Sequence, residues 1–311
     1  MCSGERETDM TGEEKTMAGA TPDLNRKYKR RSQAADVWIR FKKNKAAIVG
    51  MVILIIVVGI SIGADFIADY DTQVKKQNIA RMLESPSREH IFGLDEFGRD
   101  IFARIVHGSR VSLQVGVVSV LISLFFGGSL GAVAGYYGGA ADHVIMRVMD
   151  IVLAIPNIML AITIMAALGT SMVNLMISIG LASLPNYARI VRSAVLSIKE
   201  QEFVEAAHAI GARNTTIIVR EILPNCMAPI IVQVTLNVAT AILSTSTLSF
   251  IGLGIQPPAP EWGNMLSGGR PYLRDAPHLC VFPGLAIMVT ILSLNLLGDG
   301  LRDALDPKLK R

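Results

Sequence analysis

The chain has 311 residues, of which 51% are hydrophobic and only 18% are charged, and its mean hydropathy is +0.43. This balance excludes a typical soluble or disordered protein and indicates a membrane protein with several spans. The formal net charge of +4 is small, and it gives no support for nucleic-acid binding because the basic residues flank apolar segments.

The N-terminal region, residues 1–34, is predicted to be a polar cytoplasmic tail. It has no apolar core of the kind found in a cleavable signal peptide. Nine Lys and Arg lie between Arg26 and Lys45, directly before the first apolar segment. This positive-inside pattern predicts that the N-terminus and the C-terminus face the cytoplasm. The run from Arg26 to Arg31 is also of the type that contacts anionic membrane lipid.

Six transmembrane helices are predicted from the distribution of charge. Five long stretches contain no Asp, Glu, Lys or Arg, and about 20 apolar residues suffice to cross about 30 Å of hydrocarbon. The longest stretch, between Asp150 and Arg189, is divided near Gly169 and holds two spans. The predicted spans are Ala46–Ala64, Leu113–Ala134, Val144–Leu168, Met172–Ala188, Ala228–Leu248 and Val281–Leu297. The fold class is therefore predicted to be all-α.

The domain boundaries follow from these spans. The tail at 1–34 leads into the first transmembrane helix with its basic flank at 35–67. An extracytoplasmic loop at 68–110 precedes a five-helix core at 111–311. That loop is predicted to be either a solvated cap or a contact surface for another protein. Trp262, between the last two spans, is expected to be an interfacial anchor.

Glycines recur every four residues towards the end of the second predicted helix, at Gly127, Gly131, Gly135 and Gly139. Small residues at this spacing allow a second helix to approach closely. The stretch also matches G-x-S-x-G, but a nucleophile elbow needs a strand-to-helix turn with His and acidic partners. The sequence therefore predicts a helix-packing ridge.

The segment between the fourth and fifth spans, residues 189–225, is predicted to contain two short helices on the cytoplasmic side. Ser197 and Glu200 form an S-x-x-E capping box that would start the first helix. Gly211 suits the left-handed residue that ends it. Asn214 is predicted to cap the second helix, which Pro224 then ends.

Within the first of these helices, Ala206 and Ala207 give a small-residue surface where another protein can approach closely. His208 lies on the same helix, where an exposed polar role is expected. The segment contains no reactive constellation, so its pattern favours docking.

Neither ATP hydrolysis nor another enzymatic reaction is expected within this chain. No G-x-x-x-x-G-K-S/T phosphate loop occurs, and neither the five His nor the three Cys have metal-ligand spacing. No enzymatic activity, cofactor or metal is therefore predicted. An ion-coupled carrier usually holds charged residues at mid-depth, whereas Asp150 and Asp299 lie near the inner ends of predicted helices. A secondary carrier and a membrane enzyme are the alternatives from other classes.

Four separated motifs resemble one family. Glu205-Ala206-Ala207 followed by Gly211 and Leu223-Pro224 resembles the E-A-A-x-x-x-G…I-x-L-P pattern of permease subunits in binding-protein-dependent ABC importers. The chain is most similar to the C-type permeases of the dipeptide, oligopeptide and nickel group, from about Ala35 to Arg311. One departure is Glu221, where the general pattern has Ile. The other three motifs are Phe92–Asp100, Gln256–Gly263 and Leu297–Pro307.

The resemblance implies a type I ABC importer permease fold, and peptide import with nickel or another small solute as the alternative. It implies a second, homologous permease, two cytoplasmic ATPase subunits that bind ATP and Mg, and an extracytoplasmic substrate-binding protein. The expected location is the bacterial or archaeal cell (inner) membrane. The residues implied to contact an ATPase are Glu205, Ala206, Ala207, His208, Gly211, Arg213, Leu223 and Pro224.

Overall fold

The computed structural model of the chain describes residues 33–305. The predicted tail at 1–34, with its Arg26–Arg31 run, lies almost wholly outside these residues, and so does Pro307. The helices are α1 Gln33–Lys43, α2 Lys45–Ile62, α3 Ala64–Ile67, α4 Ile101–Tyr137, α5 Gly139–Leu153, α6 Asn157–Leu168, α7 Met172–Lys199, α8 Glu202–Ala209, α9 Asn214–Thr216, α10 Leu223–Asn225, α11 Met227–Phe250, α12 Trp262–Gly269 and α13 His278–Leu305. The predicted all-α class is confirmed.

Within residues 33–305, four helices, α2, α4, α11 and α13, are long and apolar enough to cross a membrane, and the bent pair α5–α6 adds a fifth if it counts as one span. The predicted fourth span lies within α7. That helix continues through Pro185, Arg189 and Arg192 as far as Lys199, so it is more polar than a typical span. By length and apolarity alone, residues 33–305 therefore contain fewer candidate spans than the six predicted.

The path of the chain nevertheless alternates six times between the two ends of the bundle. Helices α4 and α7 run parallel, because the backbone carbonyl facing α4 changes from Leu184 at Gly127 to Arg192 at Gly135. Two parallel helices must be joined by a segment that runs back between their ends. The bent pair α5–α6 is that segment.

One end, which we term the coupling end, holds residues 200–226, which we term the coupling segment and which overlap most of the predicted cytoplasmic segment 189–225. Ser197 of α7, Asn225 and Arg302 of α13 border one groove there. Gly300 of α13 in turn lies against Ala47 at the start of α2. Both limits of the described chain therefore lie at the coupling end.

The predicted third span, Val144–Leu168, is not one helix. Helices α5 and α6 meet at an angle of 87° across a short break that contains Pro156. Proline has no backbone N–H and disfavours helical conformation in the residue before it, so the chain bends there. The third predicted span is therefore divided into two helices, with the break at the proline.

The glycine ridge sets the closest helix contact. A Cβ added to Gly127 or Gly131 would overlap a backbone carbonyl of α7, and one on Gly135 would lie 2.9 Å from the Arg192 oxygen. Gly139 does not share this contact, since it begins α5 with φ +52° and has no neighbour within 4 Å. The close packing therefore involves three of the four glycines named from the sequence.

The predicted first element, 35–67, is interrupted. Helix α1 ends at Lys43, and Asn44 then caps α2 by accepting the N–H of Ala47 at 3.1 Å. The amide of Asn44 also donates to Asp303 at 3.1 Å, which ties this break to the end of α13. An Asn between two helical stretches satisfies the first free N–H groups of the second helix.

The opposite end is covered by a folded region, residues 63–100 together with 251–277, which we term the cap. In the Phe92–Asp100 motif, the Asp95 carboxylate accepts the N–H groups of Phe97 and Arg99 at 2.9 Å each. The Arg99 Nε donates to the same carboxylate at 2.7 Å. Asp100 then caps α4, which begins at Ile101, before the predicted loop boundary at 110.

The Gln256–Gly263 motif joins the cap to the bundle. Glu261 is fully buried and caps α12 by accepting the N–H groups of Gly263 and Asn264 at 2.9 and 2.8 Å. Trp262 is 2% exposed, and its indole N–H donates to the Ile105 carbonyl at 3.0 Å. The expectation that Trp262 is an interfacial anchor is therefore wrong, because its ring is enclosed by protein.

Candidate functional site: the coupling segment

The first helix of the coupling segment, α8, begins later than the sequence predicted. Ser197 lies inside the last turn of α7, where its hydroxyl donates to the Ala194 carbonyl at 2.8 Å. Helix α8 starts at Glu202 after Gln201, whose side chain makes no capping bond. The predicted capping box of Ser197 and Glu200 is therefore wrong, because Ser197 lies inside α7 and Glu200 is the residue that follows the last residue of that helix, Lys199.

Gly211 ends α8 in the left-handed conformation predicted for it, with φ +76°. Its N–H donates to the His208 carbonyl at 2.9 Å, and the Ala212 N–H donates to the Ala207 carbonyl at 3.1 Å. No atom lies within 4 Å of the position of a Cβ on Gly211. The backbone conformation, and not the available space, is what favours glycine here.

The second helical stretch runs from Asn214 to Asn225 without the predicted cap. The Asn214 side chain makes no capping bond, and its oxygen instead accepts the Tyr136 hydroxyl at 2.9 Å. The middle of the stretch, Ile217–Ile222, is a π-helix. Pro224 lies in α10, the last short helix of the stretch, which ends one residue later at Asn225. Pro224 has no N–H to donate, but it stands at the start of α10, where the N–H groups have no partner within the helix.

Val204 anchors α8 to the bundle. It is 1% exposed and belongs to a buried apolar cluster with Val195, Ile217 and Ile222. Ala207 is half-buried and packs against the same cluster. One face of α8 is therefore fixed to α7 and to the second helical stretch.

The other face of α8 is open. Glu205, Ala206, His208 and Ala209 are exposed, and Ile210 is 84% exposed. The small-residue surface thus comprises Ala206 and Ala209, whereas the sequence pattern named Ala206 and Ala207. A large apolar side chain beside small residues at a helix end is suited to insertion into a partner.

Tyr136, at the end of α4, was not identified from the sequence. Its hydroxyl donates to Asn214 and lies 3.3 Å from the His208 Nε2. The Tyr136 and His208 rings are stacked, with centroids 6.1 Å apart. Lys199 donates to the Tyr136 carbonyl at 3.2 Å. Tyr136 therefore joins the ends of α4 and α7 to both helical parts of the coupling segment.

The remaining predicted residues lie around this junction. Arg213 is exposed directly before α9, Leu223 is half-buried against the apolar cluster, and Pro224 is exposed. Among residues 33–305, no group of three or more His, Cys, Asp or Glu is arranged to hold a metal ion. The exposed groups of the segment suit contact with another protein.

Two family profiles match the chain. One, described as the inner membrane component of binding-protein-dependent transport systems, matches residues 127–311. The other, described as the N-terminal transmembrane domain of oligopeptide transport permease C, matches residues 32–86. The first match begins inside α4, and the second covers α1, α2 and part of the cap.

Several characterised relatives align over most of their length. A dipeptide transport system permease protein, DppC, of Alkalihalophilus pseudofirmus is 48% identical, with 93% of this chain and 95% of the relative covered. A DppC of Haemophilus influenzae is 43% identical, with 89% and 95% covered. A glutathione transport system permease protein, GsiD, of Pectobacterium atrosepticum is 42% identical, with 88% and 91% covered.

The fold also matches a solved structure. An inward-facing conformation of the MetNI methionine ABC transporter superposes with a TM-score of 0.53 at 18% identity, covering 65% of this chain and 96% of that chain. This likeness shows a shared fold and confirms the type I importer permease architecture. The chain therefore belongs to the inner membrane components of binding-protein-dependent transport systems and, within them, to the C-type permeases of the dipeptide and oligopeptide group.

Proposed function

We propose that the chain is one of two membrane subunits of an ATP-driven importer for di- or oligopeptides. The observation that carries this proposal is the 42–48% identity, over about nine-tenths of the chain, to permeases named for dipeptide and glutathione transport. Glutathione is itself a tripeptide, so the named substrates share peptide chemistry.

The coupling end faces the cytoplasm in this proposal. The basic residues between Arg26 and Lys45 precede α2, which starts at that end. The positive-inside rule places such a flank on the cytoplasmic side. The coupling segment then faces the compartment that holds ATP, and the cap faces the compartment from which a binding protein delivers substrate.

Segment 200–226 serves as the contact with a cytoplasmic ATPase subunit. Ala206 and Ala209 allow close approach, Ile210 inserts into an apolar hollow, and Glu205 orients the helix through a polar contact. Movement of α8 reaches the bundle through Val204 and through the Tyr136 junction. ATP and substrate then favour different conformations, and this difference couples hydrolysis to transport.

An Ala206→Trp substitution tests the contact. A large ring on the exposed face of α8 prevents close approach, so we expect loss of co-purifying ATPase subunits and of ATP-driven uptake. Ala80→Trp, on an exposed site of the cap, is the matched control and is expected to retain the ATPase subunits. Wild-type ATPase retention and uptake by Ala206→Trp would reject the assignment of this surface.

Substrate class and energy source are tested with the wild-type assembly. Radiolabelled Ala-Ala uptake is expected to be inhibited by excess unlabelled dipeptide, not by Ni²⁺, and to stop when ATP is depleted. Uptake that persists without ATP under an imposed ion gradient indicates a secondary carrier instead.

A further inference from the structure

A polar recess lies between α6, α7 and α11, at the middle of the bundle. Its volume is about 180 Å³, and its apolar walls include Ala161 and Ile179. Six uncharged polar side chains border it, and no Asp, Glu, Lys, Arg or His does. They are Asn157, Ser183, Asn186, Asn237, Thr240 and Ser244.

The recess lies deep along α7. Asn186 falls between Leu184 and Ala188, whose carbonyls face the glycine ridge of α4. The ion pair of Arg189 with Asp150, at 2.6 Å, lies one helical turn closer to the coupling end. The recess therefore sits inside the span and beyond the charged groups of the inner boundary.

The polar groups of the recess are available to a ligand. Asn157 and Thr240 are exposed, and Asn186 and Asn237 are half-buried. The Asn237 side-chain oxygen Oδ1 accepts a hydrogen bond from the Gln233 side-chain amide at 3.1 Å. Amides in a lipid-facing surface are unfavourable, because hydrocarbon offers them no hydrogen-bond partner. A polar patch at this depth fits contact with water or with a polar solute.

We propose that this recess binds the main chain of the peptide as it crosses the membrane. The assignment rests on the proposed function and names where, within this chain, the substrate is contacted. Asn side chains both donate and accept hydrogen bonds, and Ser and Thr hydroxyls do the same. They match the N–H and C=O groups that every peptide bond presents, whatever its side chains.

The absence of charge among the recess residues fixes the kind of selectivity. A fixed charge there would attract peptides of opposite charge and repel those of like charge. A neutral lining treats acidic, basic and neutral peptides alike. The volume of 180 Å³ is below the roughly 300–1,000 Å³ of an enclosed ligand pocket. This chain therefore supplies one wall, and the second permease supplies the facing wall.

The test introduces a charge without changing shape. We expect Asn237→Asp to lower uptake of Glu-Glu relative to Lys-Lys by about tenfold compared with wild type, because the peptide passes a new negative charge. Uptake is measured in cells of the native host that carry the complete transporter. A ratio equal to that of the wild type overturns the proposal, whatever the absolute rates.

A second pair of variants, with milder substitutions, tests the recess even if Asn237→Asp fails to fold. Thr240 borders the recess and Thr235 does not, although both lie on α11 and donate to the carbonyl four residues earlier, at 3.3 and 3.0 Å. Thr240→Val is expected to lower Ala-Ala uptake about threefold, and Thr235→Val to leave it unchanged. Equal uptake by the two variants overturns the proposal.

The uptake measurements distinguish a failure of the proposed function from a failure of the recess assignment. Wild-type cells that take up none of the dipeptides contradict the proposed function, and the recess assignment fails with it. Normal wild-type uptake with an unchanged charge ratio rejects the recess alone.

Discussion

The cap and the coupling segment are held in place in different ways. In the cap, Asp95 and Arg99 are at most 5% exposed and form an ion pair, and Asp95 also lies 3.4 Å from Arg104 in the first turn of α4. In the coupling segment, α8 is held by one buried side chain, Val204, and by the Tyr136 junction, while most of its surface is open. The charged side chains of this part of the cap pair with one another, whereas α8 leaves most of its surface exposed, as the proposed ATPase contact requires.

The largest stability effect is expected in the cap. Asp95→Asn removes the charge that faces Arg99 at 2.7 Å and Arg104 at 3.4 Å, which takes from Arg104 its nearest carboxylate and leaves Arg99 with only the longer contact to Glu96 at 3.5 Å. Breaking a buried pair costs roughly 3–5 kcal/mol. The free energy of unfolding in detergent should fall by this amount. Asp71→Asn, in an exposed pair with Lys75, is the control and should cost less than about 1 kcal/mol. Equal losses would contradict the contrast between the two ends.

A smaller and local effect is expected at Val204. Val204→Ala removes apolar contacts with Ile217 and Ile222 and leaves a small cavity, at a cost of roughly 1–3 kcal/mol. Because α8 has few other anchors, its amides should exchange hydrogen faster while those of the cap remain protected. Equal acceleration in the cap would show that the two regions are not independent.

The Tyr136 junction should contribute less to stability than to coupling. Tyr136→Phe keeps the ring stacked on His208 and removes the hydroxyl bond to Asn214, which is worth roughly 0.5–1.5 kcal/mol. We expect normal assembly with more ATP hydrolysed per peptide imported. Measuring both rates in the same vesicles tests this, and an unchanged ratio would remove Tyr136 from the coupling path.

The smallest effect expected is pH-dependent and belongs to the cap. Burial raises the pKa of Glu96, and the neighbouring Asp95 raises it further. The folded protein thus holds this proton more tightly than the unfolded chain does. Stability from this group is greatest below the unfolded pKa and decreases as pH rises through the raised folded pKa. Glu96→Gln should therefore raise the melting temperature at pH 7 and leave it nearly unchanged near pH 4. A lower melting temperature of the variant at pH 7 would contradict this sign.

The pKa of Glu89 is shifted in the opposite direction to that of Glu96, and Glu89→Gln tests this shift. Hydrogen bonding to Arg81 lowers the pKa of Glu89, so its contribution is present above the unfolded pKa and is lost as pH falls through the folded pKa. Because Glu89 is exposed, a barely measurable loss at pH 7 is expected.

The sequence predicted features that depend on local pattern. Charge-free stretches locate the apolar helices α2, α4, α11 and α13, because crossing hydrocarbon demands a minimum apolar length. The four-residue glycine period anticipated the approach of α7 to α4. Gly211 was identified because a helix followed directly by a second helix needs a left-handed residue.

Features set by tertiary contact were missed. Ser197 and Glu200 match a capping box, but α7 continues through Ser197 to Lys199, so the next helix cannot begin there. Asn214 matches the pattern of a helix cap, but its side-chain oxygen accepts a hydrogen bond from Tyr136, 78 positions earlier in the chain. Trp262 resembles an interface residue by type, yet Ile105 and the bundle enclose it. No local pattern encodes which distant group competes for a side chain.

The parallel contact of α4 with α7 has a mechanical consequence. With glycine in one helix facing carbonyls of the other, the two cannot slide or rotate separately without a backbone clash. Tyr136 and Lys199, at the ends of these two helices, meet beside His208. We therefore expect a displacement of α8 to move α4 and α7 together as one rigid body, without bending either helix where it meets the coupling segment.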